Sequence, residues 1–325
     1  EGGECPQEAV DIFDVASSES SIRETDIYRE AREFFKDRFD GMECDSTPVP
    51  DRIMDEDIQG AGHVQLLSEG MAAGAVEHFA KTHGITENTL FLGAFAYALA
   101  KFNGAAESFF CTVDNGRHDP GLAASVGMFV RTLPMYFHID ESRRVPDFLS
   151  EVQNVLFSTM SHDCMSFGEL ADRYGIGMSI SFVYQAEMFA GPHIAGGEMG
   201  VTMMEIPDIQ SDIHFMLYRT GSGYTLNVGY RKALYTEGFA ARFAAMYFNV
   251  VREMMSAGTL AGIGLADAEA RDAIRRFNLT ETPYEADATV VGLFRRQAAS
   301  APDSLCLVYE DRKFTYGEVD RITDR

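Results

Sequence analysis

The apolar segment at residues 86–102 constrains the fold more than any other part of the sequence. It reads TENTLFLGAFAYALAKF, and Thr86 suits the N-cap position of the helix that it predicts. Apolar residues occupy nearly every side of that helix, so it is stable only if other elements cover most of its surface. The chain therefore has to build a layered domain around it.

Strand and helix patterns alternate along the rest of the chain. The polar start is expected to be irregular, with the serine-rich residues 17–21 in a loop and the first helix beginning near Asp26. Alternation and apolar runs predict strands, and helical spacing predicts helices, which favours an α/β architecture with a mixed sheet and helices packed on it. The strands are expected within residues 63–69, 107–114, 132–140, 177–185 and 215–232, and the further helices within 71–84, 145–162 and 236–257.

The character of the sequence changes near Phe277. Residues 277–289, FNLTETPYEADAT, have few large apolar side chains and contain Pro283, which is typical of a linker. A helical pattern follows, and then LCLVYEDRKFTYGEV predicts a tight two-strand hairpin that leads into a last helix. A second, small structural unit is therefore expected after the linker.

Charge and cysteine content exclude several classes of function. Fifty acidic residues against 27 basic ones give a net charge of -23, which repels nucleic acid and anionic membrane surfaces. No run of 18 apolar residues occurs, so no membrane insertion is expected. The five cysteines are widely spaced without a CxxC pair, which favours reduced thiols, a cytoplasmic protein and no metal site.

Four short segments carry a pattern that spacing alone does not explain. They are Gly116-Arg117 after a strand, SVGMFVRTLP at 125–134, SHDCMSFGEL at 161–170 and SISFVYQ at 179–185. In this order they resemble the motifs of condensation domains from nonribosomal peptide synthetases. The second segment is similar to IGxFVNTL, with Arg131 in place of the Asn, and the third to HQDYPFEEL. The fourth resembles VMFNYQ, with Val183 in place of the Asn.

The resemblance extends to the end of the chain. The stretch FNLTETPY looks like the linker between a condensation and an adenylation domain, and FTYGEV resembles the LTYxEL element that opens an adenylation domain. The resemblance implies four regions. They are an interlobe connection with a lobe-start helix (1–60), a condensation-domain C-terminal lobe (61–276), a linker (277–289) and an N-terminal fragment of an adenylation domain (290–325).

Members of this family resemble chloramphenicol acetyltransferase, in which two lobes face each other across a tunnel. The resemblance implies that this chain supplies one of them, a two-layer sandwich lobe with a mixed sheet. The other, N-terminal lobe carries HHxxxDG, whose second histidine serves the acceptor amine as it attacks a thioester. None of the eight histidines here is followed by that pattern. We therefore expect no catalytic residue in this chain and no peptide-bond formation by the isolated chain.

The residues of these motifs also have expected roles. Arg117 is expected to form a structural ion pair rather than bind substrate, and His162 to cap helix carbonyls rather than act as an acid or base. With Gly116 and Phe167 they form the structural part of the motifs. The residues expected to line the substrate channel are Gly127, Met128, Phe129, Arg131, Thr132, Tyr184 and Gln185.

The partners implied are peptidyl carrier proteins, the N-terminal lobe and the remainder of the adenylation domain. No cofactor is expected to bind directly, because carrier proteins deliver the phosphopantetheine, and ATP with Mg²⁺ would serve only a complete adenylation domain.

Three alternatives stay open. An epimerisation domain has the same fold, but its family has a GHGRE-like turn and an FNYLGQ segment. This chain reads DNGRHD and FVYQAE at those places, so the condensation pattern fits better. A non-catalytic recruiting module is suggested by Arg131, Val183 and His214, the last of which stands where the family usually has Asp. A free acyltransferase is disfavoured by the adenylation-like tail.

Overall fold

A computed structural model describes residues 10–53, 57–68, 70–123, 125–186, 209–221 and 223–324. The chain divides into two compact units, Glu1–Ala270 and Arg271–Arg325. The helix Ala268–Phe277 (α8) spans the boundary between them. Within the described residues, no helix combines the length and apolar character needed to cross a membrane.

The first unit is built on a six-stranded mixed sheet, which confirms the predicted α/β architecture. Its spatial order is β1-β6-β5-β4-β2-β3, with β4 parallel to both β2 and β5 and the other pairs antiparallel. The strands are β1 Ala61–Leu67, β2 Glu107–Asp114, β3 Arg131–His138, β4 Ile180–Gln185, β5 Ile213–Thr220 and β6 Gly223–Arg231.

Helices cover both faces of this sheet. The helices that precede α8 are, in chain order, α1 Ile12–Ile22, α2 Asp26–Phe39, α3 Ala73–His83, α4 Glu87–Phe102, α5 Val145–Ser161, α6 Phe167–Tyr174 and α7 Glu237–Met254. Alternation along β2 turns Phe110 toward the main core, which contains α4, α5 and α7. Phe109 and Cys111 point the other way into a second core with α2 and α6. The sequence led us to expect two layers, and the second core, on the other face of the sheet, was not predicted.

Helix α4 lies in the middle of the main core, as its composition requires. Every residue from Thr89 to Ala100 is buried. Thr86 caps the helix as predicted, because its hydroxyl accepts from the Thr89 amide at 3.0 Å. The ring of Phe95 contacts a ring on each of three strands, with centroid distances of 4.9 Å to Phe110, 4.6 Å to Phe182 and 4.9 Å to Phe215.

The prediction of a loop at residues 17–21 is wrong, because these residues belong to α1. The Asp11 carboxylate caps this helix by accepting from the amides of Phe13 and Asp14 at 2.8 and 2.9 Å. None of the helix residues is buried. Its sequence therefore lacks the apolar spacing from which a packed helix is recognised.

The second unit contains the predicted hairpin between two helices. Its elements are α9 Val290–Ser300, β7 Leu305–Tyr309, β8 Arg312–Thr315 and α10 Tyr316–Thr323. The α10 helix begins with a capping box in which Thr315 and Glu318 satisfy each other's backbone amides. The ring of Phe294 packs on that of Tyr316 with centroids 5.8 Å apart. Most of the hairpin stays exposed, including Leu305, Val308 and Tyr309.

The four cysteines in the described part of the chain, Cys44, Cys111, Cys164 and Cys306, form no disulfide. Burial raises the pKa of the Cys111 thiol to about 12, so this thiol stays protonated at neutral pH.

We expect Phe95→Ala to lower the free energy of unfolding by about 3 to 5 kcal/mol, because it leaves a cavity among three strands and α7. Urea denaturation of the folded chain measures this. The matched control is Phe102→Ala in the last turn of the same helix. Phe102 is 38% exposed, so its loss should cost less than half as much. Equal losses for the two variants would contradict the central role of Phe95.

Candidate functional site

The candidate residues gather at one end of the sheet. Asp114 at the end of β2 pairs with Arg131 at the start of β3. Cys111 in β2 pairs in parallel with Ser181 in β4, so Tyr184, three residues further on, reaches the same end as Asp114. The loop between β2 and β3 carries the predicted residues Gly116, Arg117, Gly127, Met128 and Phe129. The sheet topology thus collects the separate motifs in one region.

The turn after β2 requires glycine at position 116 on two grounds. Gly116 has φ +66°, and a Cβ there would lie 1.9 Å from the carbonyl oxygen of Phe129. Its amide donates to Asp114 Oδ2 at 2.8 Å, which fixes that carboxylate. The Phe129 side chain is almost fully buried. The two ends of the loop therefore pack directly against each other.

Arg117 holds this loop from inside. Its guanidinium donates to the carbonyl oxygens of Leu122 and Ser125, the latter at 2.9 Å, and lies 4.3 Å from the centroid of the Phe129 ring. Among the described residues it has no carboxylate partner, so the expected ion pair is replaced by backbone contacts and a cation–π contact. Arg117 is a structural residue of the loop.

The absence of a side chain at Gly127 lets Ile12 of helix α1 pack closely against it. A Cβ at Gly127 would lie 2.8 Å from Cδ1 of Ile12. The hydroxyl of Ser125 donates to the Val10 carbonyl oxygen beside it. The neighbouring Met128 is 83% exposed and makes none of these contacts. A channel-lining role for Gly127, Met128 and Phe129 stays a prediction.

Arg131 joins three parts of the first unit. Its Nη2 pairs with Glu19 of α1, and its Nε lies 4.0 Å from Asp163 Oδ2. Burial raises the pKa of Asp163, although Arg131 acts in the opposite direction. A cavity of about 160 Å³ lies beside this pair, and its lining includes Arg131, Thr132, Asp163 and Phe167. The structure thus brings three of the predicted residues to one cavity.

His162 ends helix α5, as the sequence predicts. Its Nδ1 contacts the carbonyl oxygen of Ser158 at 2.6 Å, and its ring stacks on Phe34 at a centroid distance of 4.1 Å. The first contact caps α5 itself, and the stacking on Phe34 ties the end of α5 to helix α2. This arrangement supports the capping interpretation.

Tyr184 lies at the same end of the sheet but does not line that cavity. Its hydroxyl donates to a carboxylate oxygen of Glu87, which also accepts from the Tyr224 hydroxyl at 3.0 Å. Its ring packs on Phe91 with centroids 4.8 Å apart. Burial and the Glu87 carboxylate raise the pKa of both tyrosines, so both hydroxyls remain protonated donors. Gln185 is half-buried and pairs with Tyr218.

His214 forms a second polar cluster where the central strands β4 and β5 begin. Its Nδ1 lies 2.7 Å from the hydroxyl of Ser181, and that hydroxyl lies 3.4 Å from the hydroxyl of Ser211. Both serines are buried. Burial, followed by the nearby His63, lowers the pKa of His214. The hydrogen bond could not be foreseen, because the family resemblance indicated only that position 214 usually holds Asp.

We expect Gly116→Ala to destabilise the fold far more than Gly104→Ala. Gly104 has φ +65°, but no atom lies within 4 Å of the position that a Cβ would occupy, so alanine there should cost only about 1 to 2 kcal/mol for the left-handed backbone. Alanine at position 116 adds the collision with Phe129. Urea denaturation compares the two variants, and equal losses would show that the contact between Gly116 and Phe129 is not close.

We expect His214 to make the fold less stable as the pH falls. Its pKa is lowered in the folded state, so its contribution is present above the ordinary histidine pKa and is lost as the pH falls toward the lowered value. His214→Gln should therefore flatten the dependence of unfolding free energy on pH between about 7 and 5. An unchanged slope in His214→Gln would contradict the expectation.

Comparison with solved structures relates the fold to multidomain synthetases. A crystal structure of holo-AB3403, a four-domain nonribosomal peptide synthetase bound to AMP and glycine, matches 95% of this chain and 25% of that chain. The TM-score is 0.73 at 17% identity. The X-domain from teicoplanin biosynthesis matches 80% of this chain and 63% of its own, with a TM-score of 0.66 at 17% identity. These likenesses establish a shared fold.

Sequence comparison identifies the family. The chain is 26% identical over 262 residues to surfactin synthase subunit 1 of Bacillus subtilis (strain 168) and 24% identical over 268 residues to bacitracin synthase 3 of Bacillus licheniformis. These alignments cover 77% and 79% of this chain but only 7% and 4% of the two relatives. Residues 1–262 match the family described as the condensation domain. The chain therefore belongs to the condensation domains of nonribosomal peptide synthetases.

Proposed function

We propose that this chain acts as the C-terminal lobe of a condensation domain, which joins carrier-bound aminoacyl or peptidyl units through a peptide bond. The family match over residues 1–262 carries the proposal. The motif residues support it, because Gly116, Arg117, Phe129 and Arg131 meet at one end of the sheet. The lobe's task is to form one wall of the tunnel that receives the carrier's phosphopantetheine arm.

Formation of the peptide bond needs two chemical contributions, and the residues of this lobe do not supply both. Attack of an amine on a thioester requires a group that takes a proton and donors that stabilise the oxygen as it becomes negative. No HHxxxDG pattern occurs in this sequence. The hydroxyl of Tyr184 is already committed to Glu87, and Nδ1 of His162 to a helix carbonyl. We infer that the N-terminal lobe supplies the imidazole and that this lobe positions the substrates.

The loop between β2 and β3 is suited to such positioning. Arg117 satisfies the carbonyls of Leu122 and Ser125, and its contact with Phe129 removes freedom from the loop before a substrate arrives. A loop ordered in advance loses less entropy on binding. Met128 and Val130 are exposed on that ordered loop and offer apolar contacts to the other wall of the tunnel.

We assign residues 277–289 to the linker and residues 290–325 to the start of an adenylation domain. In support, alignment with tyrocidine synthase 2 of Brevibacillus parabrevis runs over 97% of this chain. The exposed apolar side chains of β7 also suit a fragment that is completed by more polypeptide. ATP and Mg²⁺ belong to the complete adenylation domain, carrier proteins are the partners, and the cytoplasm is the expected location.

The isolated chain should give no product above background when it is mixed with carrier proteins loaded with donor and acceptor. Chromatography and mass spectrometry of the released product measure this. The same chain joined to an N-terminal lobe that carries HHxxxDG should produce the peptide bond, and changing the second His of that motif to Ala should abolish the product. Turnover by the isolated chain would contradict the assignment of the imidazole to the other lobe.

A recruiting module is the second candidate. Arg131 and Val183 replace asparagines of the family motifs, and His214 stands where an aspartate is usual. In the same assay, an assembly with an intact HHxxxDG that binds carrier proteins but forms no bond would favour this candidate. Restoring Arg131→Asn and Val183→Asn together then tests whether these two positions account for the missing activity.

A further inference from the structure

Three potential metal ligands from separate segments meet beside the loop between β2 and β3. They are Asp114 at the end of β2, His118 in the loop, and Asp163 between α5 and α6. One ligand atom from each lies within 4.8 Å of the others. The Nε2 atom of His118 is 2.8 Å from Asp114 Oδ2. The sequence gives no sign of this group, because Asp163 is distant from the other two along the chain.

The two carboxylates differ from ordinary surface charges. Only 14% of the Asp114 side chain and 28% of the Asp163 side chain are exposed. The amide of Gly116 donates to Asp114 Oδ2, and the constrained turn at Gly116 carries His118 back toward that carboxylate. Among the described residues the one ion-pair partner of Asp163 is Arg131, whose Nε lies 4.0 Å from Oδ2, so the negative charge of Asp163 is incompletely balanced. An added cation would balance it.

We propose that Asp114, His118 and Asp163 bind a divalent transition-metal ion, of which Zn²⁺ and Mn²⁺ are the appropriate probes. An imidazole nitrogen with two carboxylate oxygens is a ligand set that suits these ions. Ligand atoms around a tetrahedral ion with bonds of about 2.0 to 2.1 Å lie roughly 3.3 Å apart. His118 and Asp114 are already closer than that, and Asp163 has to approach by a side-chain rotation. The ion would tie the loop to the connection between α5 and α6.

Arg131 provides a test that accidental surface binding would not pass. Its guanidinium lies 4.0 Å from the Asp163 carboxylate and competes with an ion for that charge. Arg131→Gln removes the competing positive charge and should tighten binding of the ion. At a site that does not include Asp163, the same substitution would leave the affinity unchanged.

The experiment is a calorimetric titration of the untagged full chain, stripped with EDTA, with ZnCl₂ and separately with MnCl₂. We expect saturable binding of one ion per chain for at least one of the two. His118→Gln and Asp163→Asn should each weaken it by at least about tenfold, since even changes behind the ligands have effects of that size. Arg131→Gln should strengthen it.

The matched control is His138→Gln. His138 is an exposed imidazole 3.3 Å from Glu107 at the opposite end of the β2–β3 pair, and in the described part of the chain it belongs to no group of three ligands. Its substitution should leave the affinity unchanged. Circular dichroism checks that each variant folds, and if Asp163→Asn does not fold, His118→Gln decides. Absence of saturable binding, or equal affinity in His118→Gln and wild type, overturns the proposal.

Discussion

The enclosure of helix α4 is the constraint on which the first unit depends. A helix with apolar side chains on all sides cannot leave a face in water, so α3, α5 and α7 surround it and the sheet lies beneath it. Gly93 lets Leu149 of α5 approach where a Cβ would lie 2.6 Å from it. Because Phe95 contacts rings of β2, β4 and β5, the same helix packs across the strands that form the middle of the sheet.

The order of the strands in the sheet determines where the candidate site lies. With β2 beside β4, Asp114 and Tyr184 reach the same end, and β3 returns with Arg131 opposite Asp114. The core cannot organise the loop between β2 and β3, which lies beyond the sheet. Its shape depends on Arg117 and on the close contact of Gly116 with Phe129. In this loop, polar contacts and the buried Phe129 ring fix the conformation, whereas apolar burial fixes it elsewhere in the unit.

In the first unit, the long elements that bury an apolar face could be predicted from the sequence, and helix α1, which is stabilised by local polar contacts, could not. The continuous apolar run around Phe95 predicts both α4 and its burial. Helix α1 escapes prediction because an aspartate cap and a few contacts hold it, with no buried residue to create a pattern. The family motifs indicated which residues belong to the site. They could not show that the Tyr184 hydroxyl is committed to Glu87, since that partner is remote in sequence.

Arg131 links the departure from the family pattern to the position of α1. Helix α1 has no buried side chain, so its attachment relies on Ile12 against Gly127, on the Ser125 hydroxyl at the Val10 carbonyl, and on Glu19 at Arg131. An asparagine at position 131 would have neither the reach nor the charge for Glu19. A partly buried guanidinium in turn needs carboxylates around it, and Glu19 and Asp163 provide them. Arg131 and the docking of α1 are therefore a single structural feature of this chain, with the helix held by the residue that replaces asparagine.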